Sequence, residues 1–483
     1  MTSTRVTTPQ SRCRVGVSRR DITPPVGIYH RMWGAAMHDR AEGVHKPLLA
    51  TMLWLEPVSA GSGAPLLVAS LDHCILDGRE LEAMRGAIGQ AVGVDPSSVL
   101  ITVSHTHGSG WMSRERSHLP GGDLIGPYLD GLRETVAAMA VEARASVAPA
   151  TVVFGRGRCA LAAHRDFTDP ADGGAVCGFN PSGGADDTLL VARIADASGA
   201  TVATMVNYAC HPTTLAWDNR LVSPDWVGAM RELVEADTRA PCLFLQGASG
   251  DLGPVRGFVG DTRVADRNGR IVGHAALAAI DSLPPAGTEF RYQGPVISGT
   301  RIGTWADVPL GEAALAGQEW WTWKTIRVDM PYRRDLPTIA ETTAARERHL
   351  AAEQDARAAG DMARARDFRA AAEQMTRQLT RLNALVPGTA YPLHVTVARL
   401  GDALWVFAPG ELYQVFQVTL RARFAPMPVV VVTMTGDWQP GYIPPAFAFG
   451  YGIYQEIIAA TAPGCLEVLI EAVSRELKAL LSS

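Results

Sequence analysis

Through about the first 282 residues, short apolar runs alternate with stretches whose apolar positions recur at helical spacing. The runs LLATMLWLE (48–56), APLLVASLD (64–72) and SSVLITVSHTH (97–107) predict strands, with a helix over 78–93 between the last two and a longer one over 128–145. ATVVFGR, DTLLVARIAD and ATVATMVNYACH then predict further strands, followed by the helix WVGAMRELVEA and the strand APCLFLQG. Such alternation predicts an α/β fold with a mixed, largely parallel central sheet flanked by helices.

Periodicity is lost over about 290–336, a Trp-rich segment, and two charged, Ala-rich helical stretches follow, separated near Gly360. They predict an inserted α-helical hairpin over 338–386. Such a hairpin serves as a lid, as a subunit contact, or as a solvated outer layer laced with i,i+4 ion pairs, and its charge favours the last. From Tyr391 the strand pattern resumes in PLHVTVARLGDALWVFAPG and MPVVVVTMTG, and the amphipathic helix CLEVLIEAVSRELKALL closes the chain. The expected division is 1–289 and 391–483 as two parts of one α/β core, with 290–390 inserted between them.

Hydrophobic residues fill 47% of the 483 positions and charged residues 19%, which suits a large globular core and not a disordered chain. A net charge of only -5, without runs of Lys or Arg, excludes the electrostatic track that nucleic acid requires. No uncharged apolar run reaches membrane-spanning length, so no integral membrane segment is expected. The opening MTSTRVTTPQSRCRVGVSRRD lacks the apolar stretch of a secretion signal, and a cytoplasmic location is the expectation. Seven cysteines, at 13, 74, 159, 177, 210, 242 and 465, show no CxxC spacing and predict reduced, mostly buried thiols. Cys210 precedes His211 but sits in an apolar run, as a small core residue does.

Candidate chemistry centres on histidine. His105 and His107 end an apolar strand, and their two-residue spacing on that strand turns both imidazoles the same way, where they can share a metal. His211 ends another strand, which Pro212 stops. Ligands of open α/β sheets collect beyond the carboxyl ends of strands, so the three histidines are expected to be neighbours. Glu411 and Asp251 each follow a strand and a Gly-containing turn, where a helix-dipole partner and a turn or cap residue are the ordinary explanations. The GxSxG elbow, HExxH, the P-loop and a strand-linked GxGxxG are all missing. The residues alone imply an α/β enzyme with a histidine-rich metal site, and no more.

The blocks VGVSRRDITPPVG, SHTHGSG, GFNPSGGADD, NYACHPTTL with SPDWVGAM, LQGASGDLGP, APGELY and GYIPPAFAFGYGIY occur in the order found in neutral/alkaline ceramidases, and the chain resembles that family over nearly its whole length. The resemblance implies one Zn2+ per chain, held by His105, His211, Glu411 and Tyr442. It also implies a substrate-handling set of His107, Arg165 in AAHRDF, Tyr451 and Tyr454. In that scheme zinc activates water and polarises a carbonyl, His107 shuttles a proton, and Arg165 or the tyrosines stabilise the oxyanion.

Two departures shape the expected reaction. Ceramidases carry a Ser in a GDxSP block, where this chain has Gly250, Asp251, Leu252, Gly253 and Pro254. Attack by metal-activated water, without an acyl-enzyme on a residue such as Ser249, is therefore expected. Neither the family's secretion signal nor its C-terminal immunoglobulin-like domain is expected in this chain, which shifts the expected substrate from membrane ceramide to a small soluble amide. Trp320, Trp321, Trp323, Phe447 and Phe449 are candidates for an apolar pocket, with core packing as the alternative. An esterase or lactonase, and a non-catalytic metal-binding protein, are the alternative functions, and a homo-oligomer is left open.

Overall fold

Runs dense in Val, Leu, Ile and Trp form two stacked sheets, and segments of helical period cover their outer faces. The computed structural model describes residues 3–59 and 61–482. The larger sheet has eight strands, in the order Cys242–Gln246, Thr201–Tyr208, Thr188–Asp196, Ala148–Arg158, Gln10–Asp21, Leu49–Glu56, Leu66–Leu71 and Val99–Val103. Only its two outermost pairings are parallel; the five between them are antiparallel. The largely parallel sheet expected from the sequence is thus corrected to a mainly antiparallel one. Helices Trp226–Thr238 and Gly78–Val92 supply the two parallel crossovers. The turns joining Leu49–Glu56 to Leu66–Leu71, and Thr188–Asp196 to Thr201–Tyr208, are too short to return the chain in the same direction.

The smaller sheet runs Trp321–Pro331, Ala390–Leu400, Ala403–Phe407 and Val429–Val432. Trp321–Pro331 pairs with Ala390–Leu400 along its whole length, so the expected division at 390 runs through this sheet. Leu400, Trp405, Phe407 and Val430 pack against Val15, Leu53, Val68 and Met205 of the larger sheet, and each such burial contributes roughly 1.5–3 kcal/mol. Helices Gly78–Val92, Ile125–Ala145, Trp226–Thr238 and Thr262–Asp281 cover the free face of the larger sheet. Gln414–Arg423 and Cys465–Ser482 cover that of the smaller. The aperiodic segment after 290 includes the hairpin Thr288–Ile297 and Arg301–Pro309, which is exposed on both faces and so shows no alternation.

Strands Cys242–Gln246 and Val99–Val103, at opposite edges of the larger sheet, come close to one another. Residues 433–436, just past the last strand of the smaller sheet, fill the space between them. Thr433 N–H donates to Gln246 O (2.9 Å), Val103 N–H to Met434 O (3.3 Å) and Gly436 N–H to Ile101 O (2.8 Å). The carboxyl ends of the edge strands therefore meet the loops of the smaller sheet.

Two helices, Ile339–Ala358 and Met362–Ala384, pack on each other across a turn at Gly360. The first is mostly exposed and starts at a capping box of Thr338 and Glu341. A solvated outer layer fits that helix but not the second, which buries Glu373, Gln378 and Arg381. Glu373 accepts from Arg116 (2.8 Å) and Arg377 (2.9 Å), and both guanidiniums lie over the Trp111 ring. Although burial alone would raise the Glu373 carboxyl, Arg377 and Arg116 hold it down at about 2. Its folded value lies below its unfolded one, so this stabilisation is complete above about pH 4.5 and is lost as pH falls towards about 2. Glu373→Ala leaves the buried Arg116 and the half-buried Arg377 without their acid and is expected to lower stability by about 3–5 kcal/mol, read as a fall in the urea midpoint at pH 7.

Candidate metal centre

The strand that was expected to carry both His105 and His107 ends at Val103. His105 lies beyond it with φ 66, a left-handed conformation that costs a residue with a Cβ about 1 kcal/mol or more, and His107 opens a short turn over His107–Ser109. Strand alternation therefore does not set their geometry. The loop still places the rings together, with centroids 5.2 Å apart and planes at 81°. His211, three residues past Thr201–Tyr208, has its ring 4.8 Å from that of His105 and 6.1 Å from that of His107.

Glu411 and Tyr442 arrive from the smaller sheet as direct partners in a two-residue parallel ladder, Glu411–Leu412 beside Tyr442–Ile443. Loop residue Gly250 lies against this ladder, where its N–H donates to Leu412 O (2.7 Å) and an added Cβ would stand 2.7 Å from Glu411 O. Asp251 accepts from the backbone N–H (2.7 Å) and side-chain amide (2.8 Å) of Gln414, which makes it the cap that ties this loop to helix Gln414–Arg423.

Hydrogen bonds fix the tautomers of two histidines. His105 Nδ1 is 2.7 Å from Cys74 O and His211 Nδ1 is 2.7 Å from Ser249 O; a carbonyl only accepts, so each Nδ1 carries the proton. In a neutral ring that leaves Nε2 as a bare lone pair. Both Nε2 atoms face Glu411 Oε2, at 3.2 Å from His105 and 2.9 Å from His211, and Tyr442 Oη lies 3.4 Å from His211 Nε2. Three acceptors cannot sit this close without a cation among them. Burial works against charge on His105, but Cys74 and the Glu411 carboxylate outweigh it and hold the ring well above its usual pKa, so in the bare chain a proton fills that role. Burial also raises Glu411, yet His105 and His211 hold it well below the carboxylate range. Burial and Arg165 push His211 down to about 4. The donor set of two imidazoles, a carboxylate and a phenol thus fits one divalent cation, and zinc takes N and O donors of this kind. Cys74, His105 and His107 also cluster, but there the atom of His105 nearest Cys74 is Nδ1, already committed to Cys74 O.

The other expected residues divide. His107 adjoins the cluster, and among the described residues neither ring nitrogen has a hydrogen-bond partner; burial and the neighbouring His105 and His211 hold its pKa well below the usual value. Arg165 is buried and donates from Nη2 to Tyr442 Oη (2.7 Å) and Gly250 O (2.6 Å). Burial raises the Tyr442 phenol well above its usual pKa although Arg165 opposes this. Tyr454 borders the site, its ring 5.8 Å from that of Tyr442, whereas Tyr451 is 71% exposed and stands outside the buried cluster. The pocket expected from Trp320, Trp321, Trp323, Phe447 and Phe449 is not found at this site: Trp321 and Trp323 donate to Ala64 O at the rim of the inter-sheet core, Trp320 underlies Arg399, Phe449 underlies Arg333 and Phe447 is 71% exposed. The aromatic neighbour of the histidines is Trp33, 4.9 Å from His107 and flanked by Trp217 and Phe258; it stands alone in a loop, with no motif to flag it. A cavity of about 810 Å³ includes none of the cluster residues and is lined by Asp77, Thr380, Asn383, Asp437 and Gln439 among others.

Neither Ser249 nor Cys210 is set up as a nucleophile. Ser249 Oγ accepts from Gln246 Nε2 (2.6 Å) beside a His211 nitrogen already donating to a carbonyl, and burial holds the Cys210 thiol well above its usual pKa. At Gly253 an added Cβ would find only Thr213 Oγ1 at 3.8 Å and Arg165 Cδ at 3.9 Å, ordinary contacts.

No family model and no curated protein matches the chain. Among solved structures, neutral ceramidase from Pseudomonas aeruginosa superposes with a TM-score of 0.63 at 14% identity, over 97% of this chain and 74% of that one. A ceramidase complexed with C2 gives 0.64 at 14% identity, over 98% and 76%. The protein has a neutral ceramidase-like fold. Among the described residues no helix is long and apolar enough to cross a membrane.

Because the space at Gly253 is open, Gly253→Ala and Gly253→Ser are expected to unfold in urea within about 1 kcal/mol of the wild type. A larger loss would show the space to be closed.

Proposed function

We propose that the protein is a zinc-dependent hydrolase that cleaves an amide (N-acyl) bond of a small molecule, with one Zn2+ held by His105, His211, Glu411 and Tyr442. The observation that carries this is the convergence of two bare Nε2 atoms on one carboxylate oxygen, each ring fixed by a carbonyl behind it. That carbonyl-imidazole arrangement is the outer support that metal-binding histidines require. Likeness of fold to ceramidases supports the amide bond in particular. When bound, zinc supplies a Lewis acid for the carbonyl and lowers the pKa of water towards about 7.

The chain's own groups divide the remaining work. His107, neutral and free at both ring nitrogens, takes a proton from the attacking water on one of them and delivers it to the leaving amide nitrogen. Arg165 stays charged, because Tyr442 and Glu411 offset the cost of its burial, and its unpartnered Nε is available to the oxyanion. Tyr454 borders the substrate's path, and Trp33 over His107 keeps bulk water from the proton shuttle.

Metal content and turnover test these roles separately. His105→Ala and His211→Ala are expected to lose zinc, measured by mass spectrometry of the metal, together with hydrolysis of a panel of N-acyl and O-acyl compounds sharing an acyl group. His107→Ala is expected to keep zinc and lose about 10²–10⁴-fold in kcat. Normal zinc content in His211→Ala would overturn the coordination scheme, and full turnover in His107→Ala would remove that residue from the reaction.

A further inference from the structure

Charge around the metal cluster is unbalanced on one side. Three other buried arginines meet carboxylates: Arg116 pairs with Glu373, Arg231 with Asp72 and Arg421 with Asp186, while buried Arg31 donates to the backbone carbonyl of Gly34. Arg381 is only 8% exposed, yet among the described residues it has no acidic partner, and its hydrogen bonds go to one neutral oxygen, Gln378 Oε1, on its own helix. A guanidinium has five donors in a planar fork suited to a carboxylate, and burying it without one is costly.

The position of Arg381 gives that deficit a meaning. Residues 373, 377 and 381 recur every four on helix Met362–Ala384 and share one face. Glu373 is bound to Arg116, and Arg377 lies over Trp111 and donates to Met32 O, next to Trp33, whose ring covers His107. One turn further on, Arg381 has Tyr454, Arg377, Glu411 and Tyr442 as its charged and titratable neighbours. The only acid among them is Glu411, already engaged by two histidines. Burial pulls the guanidinium down to about 10.

We infer that Arg381 binds a carboxylate carried by the substrate, so that the amide cleaved at this centre is an anionic one of the N-acyl amino acid type. The inference rests on the hydrolase assignment for the same site. Water adds to the acyl carbon, the C–N bond breaks, the proton passes through His107 to the leaving nitrogen, and a carboxylic acid and an amino acid depart. A membrane lipid amide without a carboxylate leaves Arg381 unsatisfied and is disfavoured.

Equilibrium binding to the zinc-loaded full chain tests this without turnover. The probe is the ketone isostere of N-hexanoylglycine, in which CH2 replaces the amide NH, compared with its neutral primary amide; a third probe, the isostere of N-butylsuccinamate, carries the carboxylate on the acyl side. The glycine isostere is expected to bind about ten- to a hundredfold more tightly than its amide, the size of a charge-assisted hydrogen bond, and a preference confined to the acid on the acyl side overturns the amino acid assignment. Arg381→Gln is expected to bring that ratio close to one, and Arg381→Lys to preserve part of it. If Arg381→Gln does not fold, the wild-type ratio alone decides. Equal affinity for acid and amide, no binding of any probe, or a preference intact in Arg381→Gln overturns the inference. Selective binding by a protein that leaves N-hexanoylglycine uncleaved removes the hydrolase assignment and keeps the anion site.

Discussion

Edge strands end in backbone N–H and C=O groups that their own sheet cannot satisfy, and the arrangement of this molecule turns on how two such edges are closed. Residues 433–436 bond to Gln246 on one edge and to Ile101 and Val103 on the other. Each unsatisfied buried group would cost roughly 1–3 kcal/mol, so the smaller sheet is held in one position against the larger. Once that position is set, the loop carrying His105, the loop carrying His211 and the turns carrying Glu411 and Tyr442 have a common meeting place. The metal-type cluster is a product of edge closure more than of any local motif.

Around the cluster, burial and charge assign different states to chemically similar groups. His105 and His211 each give one nitrogen to a carbonyl and turn the other towards Glu411, whereas His107, a few ångströms away, has no hydrogen-bond partner for either nitrogen among the described residues. The fate of each imidazole follows from the carbonyls within reach: Cys74 O and Ser249 O for the first two, none for the third. Guanidiniums show the same logic, since Arg116 and Arg377 are matched by Glu373, while Arg165 donates to Tyr442 Oη and Gly250 O and Arg381 to Gln378 Oε1.

How much of this was legible in the sequence depended on how local each feature is. Strands such as LLVASL and CLFLQ stood out because every residue in them is buried. Their pairing did not, because direction depends on what crosses between strands, and in the larger sheet only the two outermost pairings have a helical crossover. The co-location of His105, His107, His211, Glu411 and Tyr442 was anticipated through motif blocks, although the strand-alternation reason given for the first two fails at Val103. Tyr451 shares a Gly-rich block with Tyr454 yet is exposed, which spacing alone cannot distinguish. Trp33, Cys74 and Arg381 went unseen because their roles arise from contacts across the fold: a ring over His107, a carbonyl behind His105, and a helix face whose neighbours come from three other segments.

The ladder pairing Glu411 directly with Tyr442 carries a consequence for how such a centre can diversify. Its two donors are spaced by main-chain hydrogen bonding, not by the length of polypeptide between them. That intervening stretch, with its helix and the strand Val429–Val432, can gain or lose residues at its surface turns over evolutionary time while carboxylate and phenol stay in step. The surface around the pair can thus be exchanged loop by loop while the paired carboxylate and phenol stay in place beneath it.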